Sequence, residues 1–142
     1  MIDNKHKIGV IPFKKKENKF AILFVTSQTR GRWILPKGRL KSNESHEEGC
    51  KREAMEEAGV TGNIFHDFPI TLLITKSIKG EIEKVPVTYY PFEVQEQLEE
   101  WPEKEKRDRH WALLGDVTKV ASREDYLSLL KLFENLTPWI KD

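Results

Sequence analysis

Cysteine is almost absent from this chain. Cys50 stands alone in 142 residues, so no internal disulfide can form and a cross-linked secreted scaffold is excluded. Long apolar runs are missing too. The longest, Phe20 to Val25, is far too short to span a bilayer, and the opening residues Met1-Ile2-Asp3-Asn4-Lys5-His6-Lys7 carry no secretory pattern. A cytoplasmic protein with no membrane partner is the expectation. Neither sign of charge is in excess: 24 Lys and Arg face 23 Asp and Glu, for a net charge of +1. No global field therefore steers the chain toward nucleic acid, which is not an expected partner. No repeat, linker or low-complexity tract divides the sequence. Its length fits one domain spanning 1–142 and large enough to bury its own core. The sequence specifies no oligomeric state.

What is present is concentrated between residues 38 and 60. From Glu44 to Ala58 there is no proline, and Glu, Lys, Arg, Ala and Met dominate, which predicts a helix. Ser42 or Asn43 is placed to cap its start, acidic residues crowd its first turns, and Gly59 follows where a left-handed stop residue belongs. At about 100° per residue, Glu53, Glu56 and Glu57 share an arc of about 100°, beside a stripe of small side chains at Cys50, Ala54 and Ala58. Small side chains let a helix approach a sheet closely. The carboxylates are thus expected at the rim of a packed interface, with Cys50 a packing residue and not a reactive one.

Three clustered carboxylates repel one another. Hard divalent cations relieve that repulsion, and an oxygen-rich face suits Mg2+ or Mn2+, which in turn bridge phosphate oxygens. Arg52, four residues after Glu48 and four before Glu56, is placed to brace the cluster and leave Glu53, Glu56 and Glu57 for metal. Gly38 is expected to allow a backbone conformation that turns the Lys37 carbonyl toward the cation.

Elsewhere, Lys7 to Phe13 and Phe20 to Ser27 read as a strand hairpin, Asn63 to Ser77 and Glu83 to Gln95 as further strands, and Arg109 to Leu114 as another. Arg123 to Asn135 carries apolar residues at helical spacing and is expected to pack against the core. The fold class is α/β (α+β): a sandwich with a mixed sheet and a helix on each side.

The full motif is Gly38, five residues, Glu44, seven residues, then Arg52-Glu53-Ala54-Met55-Glu56-Glu57-Ala58-Gly59-Val60. It resembles the Nudix box, and the resemblance implies the α/β/α Nudix sandwich. It also implies hydrolysis of a pyrophosphate bond by water activated at a Mg2+ or Mn2+ site. Glu53, Glu56 and Glu57 match the family's metal-binding and base-bearing glutamates, Arg52 the bracing arginine, Lys37 the carbonyl ligand, and Gly38, Glu44 and Gly59 the structural positions. Glu53, Arg52 and Glu57 are the catalytic candidates, and Glu99, Glu100 and Glu103 lie where such enzymes often supply a further acid.

Outside the box, Arg32 to Gly38, Thr88 to Val94, Leu98 to Glu103 and Arg107 to Trp111 look like the branch hydrolysing diadenosine or diphosphoinositol polyphosphates. The implied substrate is a small, phosphate-rich molecule, with a lean toward the nucleotide. Arg30, Arg32, Lys37, Gly38, Arg39, Arg107 and Arg109 are the candidate phosphate-binding positions, and Trp33, Tyr90, Trp101 and Trp111 the candidate base-stacking surface. His110 stands where a relative has an acid. An RNA 5′-pyrophosphohydrolase would share the box but would want a basic stripe with interleaved aromatics, which this chain lacks. A sensor that binds without turnover would have no need of a self-repelling carboxylate cluster.

Overall fold

The computed structural model describes residues 6–28 and 31–140. Strands β1 (Lys7–Lys16) and β2 (Lys19–Thr26) form the expected hairpin, but they run deeper into the lysine stretch than its polarity suggested. Only Glu17 and Asn18 remain as the turn, with Glu17 at φ 58°. Two short strands follow, β3 (Trp33–Ile34) and β4 (Lys37–Gly38), then α1 (His46–Glu53), which continues as a π turn over Ala54–Ala58. The expected strand from Asn63 to Ser77 is two: β5 (Val60–Ile64) and β6 (Ile70–Ile78), parted by a turn in which Phe68 N donates to Phe65 O. Pro69 has no N–H to continue a ladder through that corner. Strands β7 (Glu81–Gln97) and β8 (Arg109–Leu113) and helix α2 (Glu124–Leu136) complete the main elements.

The eight strands form one sheet with the order β3-β2-β1-β7-β5, while β4 pairs with β1, β6 with β7 and β8 with β2. Among the described residues only the β1–β7 pairing is parallel, with Ile8 opposite Thr88 and Phe13 opposite Glu93, so the sheet is mixed. Alternation along β1 sends side chains to two faces. Ile8 packs at Gly49 of α1, whereas Phe13, of opposite parity, meets Phe133 of α2 with ring centroids 5.5 Å apart. A helix therefore covers each face, as the apolar pattern required. Cys50, Ala54 and Ala58 are fully buried in the seam, where the Cys50 thiol donates to Gly9 O and burial pushes its pKa up to about 12. That is the packing role expected of it. No helix among the described residues is long and apolar enough to cross a membrane.

Candidate active site

Helix α1 starts later than its composition suggested, and neither Ser42 nor Asn43 caps it. Ser45 does, in a capping box: its Oγ accepts from Glu48 N at 3.1 Å, and Glu48 Oε1 accepts from Ser45 N at 2.9 Å. Glu48, spent on the cap, is not the partner of Arg52. That partner is Glu44, gripped by a two-pronged pair: Arg52 Nε to Oε2 at 2.7 Å and Nη2 to Oε1 at 2.9 Å. The Arg52 hydrogen bond holds the Glu44 carboxyl down to about 2. Nη2 also donates to the Arg39 carbonyl at 2.8 Å, while Nη1 stands 3.3 Å from Glu56 Oε1 and 3.4 Å from Glu53 Oε2. Arg52 thus ties the approach loop to the glutamate helix and fixes two of its three carboxylates.

Glu53 and Glu57 are buried, Glu56 half-buried. Burial raises the Glu53 carboxyl against the opposing pull of Arg52, with Glu56 and Glu103 adding to the rise. Burial also raises Glu57, to about 8, with Arg107 and Lys37 working against it and Glu53 and Glu103 with it. These are carboxylates in need of positive charge. Gly38 belongs to the same cradle: a Cβ built there would lie 1.9 Å from Glu53 Oε2, so the β4 backbone can sit against that carboxylate only without a side chain. Its φ is not left-handed; space, not backbone freedom, demands glycine here. Among the described residues no trio of His, Cys, Asp or Glu side chains is already closed in cation-ligating geometry. The donor set nonetheless fits a hard divalent ion, with buried carboxylate oxygens from Glu53 and Glu57, Glu56 beside them, and backbone brought against Glu53 at Gly38.

The expected phosphate-gripping pair Arg107 and Arg109 is elsewhere engaged. Arg109 lies with its guanidinium 3.8 Å from the centroid of the Trp101 ring and donates through Nη1 to the Ala58 and Leu98 carbonyls at 3.0 and 2.7 Å. Arg107 is only 6% exposed and donates to Glu103 Oε1 and Thr26 O, each at 2.8 Å. Each aromatic proposed for base stacking also has a neighbour. Trp101 Nε1 donates to Glu57 O, Tyr90 pairs with His46, Trp111 Nε1 donates to Gln97, and Trp33 lies against His110.

Two of the other basic candidates do line a cavity. Arg32 and Lys37 border a volume of about 760 Å³ together with Lys7, Lys84 and Arg123, cations the sequence reading passed over. Leu73, Ile74, Ile82 and Val85 supply its apolar wall. Lys84 and Arg123 lie far from the box in sequence; the β6–β7 hairpin and the start of α2 bring them in. Arg39 is exposed and enters the site through its carbonyl, and Arg30 lies outside the described residues.

A mixed sheet between two helices, with a glutamate-bearing helix against β1 and β4, defines the Nudix fold. The chain belongs to that family: the NUDIX domain model matches residues 4–133. It is 35% identical over 117 residues to Nudix hydrolase 18, mitochondrial, of Arabidopsis thaliana, an alignment covering 78% of this chain and 65% of that protein. It is 27% identical over 135 residues to diphosphoinositol polyphosphate phosphohydrolase 3-beta of Bos taurus, covering 90% and 79% respectively. Among solved structures, a binary complex of the C. elegans Ap4A hydrolase superposes with a TM-score of 0.70 at 25% identity, covering 95% of this chain and 98% of that one. The chain spans between 55% and 65% of the length of the first six curated Arabidopsis relatives it matches.

Proposed function

We propose that the protein hydrolyses a pyrophosphate bond in a small, phosphate-rich compound, with Mg2+ or Mn2+ as cofactor. The observation that carries this reading is a juxtaposition. Lys37 lines the basic cavity and also lowers the pKa of Glu57, while its neighbour Gly38 abuts Glu53. Phosphate-binding charge and metal-seeking carboxylates thus meet at one short strand.

In this reading Glu53, Glu56, Glu57 and the Lys37 carbonyl hold the metal, which when bound supplies charge to the bridging phosphates and makes water more acidic. Arg52 fixes Glu53 and Glu56 through its grip on Glu44. Glu53, or Glu103 beside it, takes the proton of the attacking water. Arg32 and Lys37, with Lys7 and Lys84 on the same cavity lining, bind the phosphates and orient the bond for in-line attack. Water is held back on one side by the aliphatic wall. Leu73 and Ile82, 57% and 76% exposed on that wall, present an apolar surface to a nucleobase, which favours a diadenosine polyphosphate over a diphosphoinositol polyphosphate. The solved structure named above is of an Ap4A hydrolase, and the likeness supports the same order.

The test is metal-dependent product release from a panel of diadenosine polyphosphates, a diphosphoinositol, ADP-ribose, nucleoside triphosphates and 5′-triphosphate RNA, with Glu57→Gln alongside. Cleavage of the first compound, lost in the variant, is the expected result. Full turnover by Glu57→Gln at saturating Mg2+ would overturn the assignment of the site, and binding without turnover by wild type would make the chain a sensor. A cytoplasmic location is part of the same proposal. Cell fractionation tests it against the mitochondrial placement in several relatives' names.

A further inference from the structure

The segment from Leu98 to Arg109 closes the C-terminal end of the glutamate helix. Four consecutive carbonyls there take their donors from it: Glu56 O from Glu103 N, Glu57 O from Trp101 Nε1, Ala58 O from Arg109 Nη1, and Gly59 O from Leu98 N, at 3.1, 3.1, 3.0 and 2.8 Å. A helix end leaves its last carbonyls without partners inside the helix. Here a Trp–Arg stack is seated over them, and Gly59 makes the room, since a Cβ there would lie 2.8 Å from Trp101 Cβ. From that platform Arg107 reaches back into the site. Its Nη1 is anchored to the sheet at Thr26 O, its Nε to Glu103 Oε1, and its Nη2 stands 3.7 Å from Glu57 Oε1.

We propose that Arg107 is a positioning residue for the metal site, spanning Glu57, Glu103 and β2, and not a contact to substrate phosphate. The inference rests on the metal-dependent reading above. A guanidinium this buried, with Nε and Nη1 hydrogen-bonded and Nη2 turned to Glu57, has no open face for a distal phosphate. Its planar fork meets three partners in fixed directions, which a lysine cannot do. At 3.7 Å it offsets part of the Glu57 charge without a short hydrogen bond, so the carboxylate oxygens remain available to a cation while their mutual repulsion is eased. By holding Glu103 with the same fork, it also fixes that carboxylate beside the box glutamates.

The test is Mn2+ binding to the full chain without substrate, read by the electron paramagnetic resonance of free Mn2+, with kcat and KM measured in parallel on the cleaved panel compound. Arg107→Lys is expected to weaken Mn2+ binding about 10- to 100-fold and to lower kcat, with KM within about twofold of wild type. In a Glu57→Gln background the same substitution should add less than about twofold, because its effect runs through Glu57. Equal losses in both backgrounds overturn the proposal. So does unchanged Mn2+ affinity with a raised KM, which would make Arg107 a phosphate clamp after all. Trp101→Phe, which removes one platform hydrogen bond and leaves a smaller aromatic ring for Arg109 to stack on, guards against misfolding of the lysine variant. It should weaken Mn2+ severalfold with an unchanged circular dichroism spectrum, and full affinity in it would overturn the platform's role. Wild-type protein that binds no Mn2+ sinks the metal-dependent reading itself. Wild type that binds while Arg107→Lys binds equally sinks this inference alone.

Discussion

Gly38 and Glu53 compete for one place, and the competition makes a sharp mutational test. In Gly38→Ala the new methyl meets the far end of the Glu53 side chain and not backbone, so the fold should survive with a stability loss within about 1 kcal/mol. The displaced carboxylate is the predicted metal ligand, and turnover should fall by about 100-fold. Urea denaturation and steady-state kinetics on one preparation separate the two effects. Arg52→Lys tests the other side of the cluster. It keeps the charge but loses the fork on Glu44, and a 10- to 100-fold loss of turnover is expected, in the range typical of residues that orient metal ligands. At this scale the sequence was legible where spacing along one helix sets geometry. The arc of Glu53, Glu56 and Glu57 and the small-residue seam follow from the helical period alone. Partnerships that leave the helix were not legible. Arg52 pairs with Glu44 across a loop, and Arg107 is buried and Arg109 half-buried because their own segment folds back over the end of the glutamate helix. No local period encodes such contacts.

The glutamate helix owes its ends to single residues. Ser45→Ala removes one half of the capping box and should cost about 1 kcal/mol. Gly59→Ala should cost more. Gly59 has φ 66°, where a side chain costs about 1–2 kcal/mol, and an added Cβ would also press on Trp101. A loss of about 2 kcal/mol or more is expected, measured as a lower urea midpoint with unchanged slope. If Gly59→Ala matches wild type in stability, Trp101 is not seated against this end as described. Element types were largely readable from alternation and helical period, including the β1–β2 hairpin and α2. Their joints were less so. The split between β5 and β6 turns on one five-residue corner ending in Pro69, and the parallel partnership of β1 with β7 joins segments about 80 residues apart. Non-local pairing of that kind has no signature in the pattern of either strand.

For the whole molecule, the buried carboxylates make stability a function of pH. Glu57 is raised from the ordinary 4.5 to about 8, chiefly by burial, and Glu53 is raised for the same reason. Between those pH values the metal-free folded state keeps a proton that the unfolded chain has released. Unfolding then releases protons, so stability falls as pH rises through this window and levels off above about 8. The loss from Glu57 alone is about 3–5 kcal/mol at most, given the conversion of pKa into free energy. Glu44 works in the opposite sense and in a different window. Its carboxyl is held down to about 2 by Arg52, so the stability it lends is present above the ordinary 4.5 and is lost as pH falls toward 2. The thermal midpoint of protein kept in EDTA should therefore drop from about pH 5 to about pH 8, and Glu57→Gln should flatten that drop. Excess Mg2+ should raise the midpoint far more at the upper pH than at the lower, because the ion competes with the proton for the same oxygens. Melting curves with EDTA or Mg2+ across that range give the whole comparison. An Mg2+ effect independent of pH, or a Glu57→Gln slope equal to wild type, would mean that the cation does not bind at Glu57.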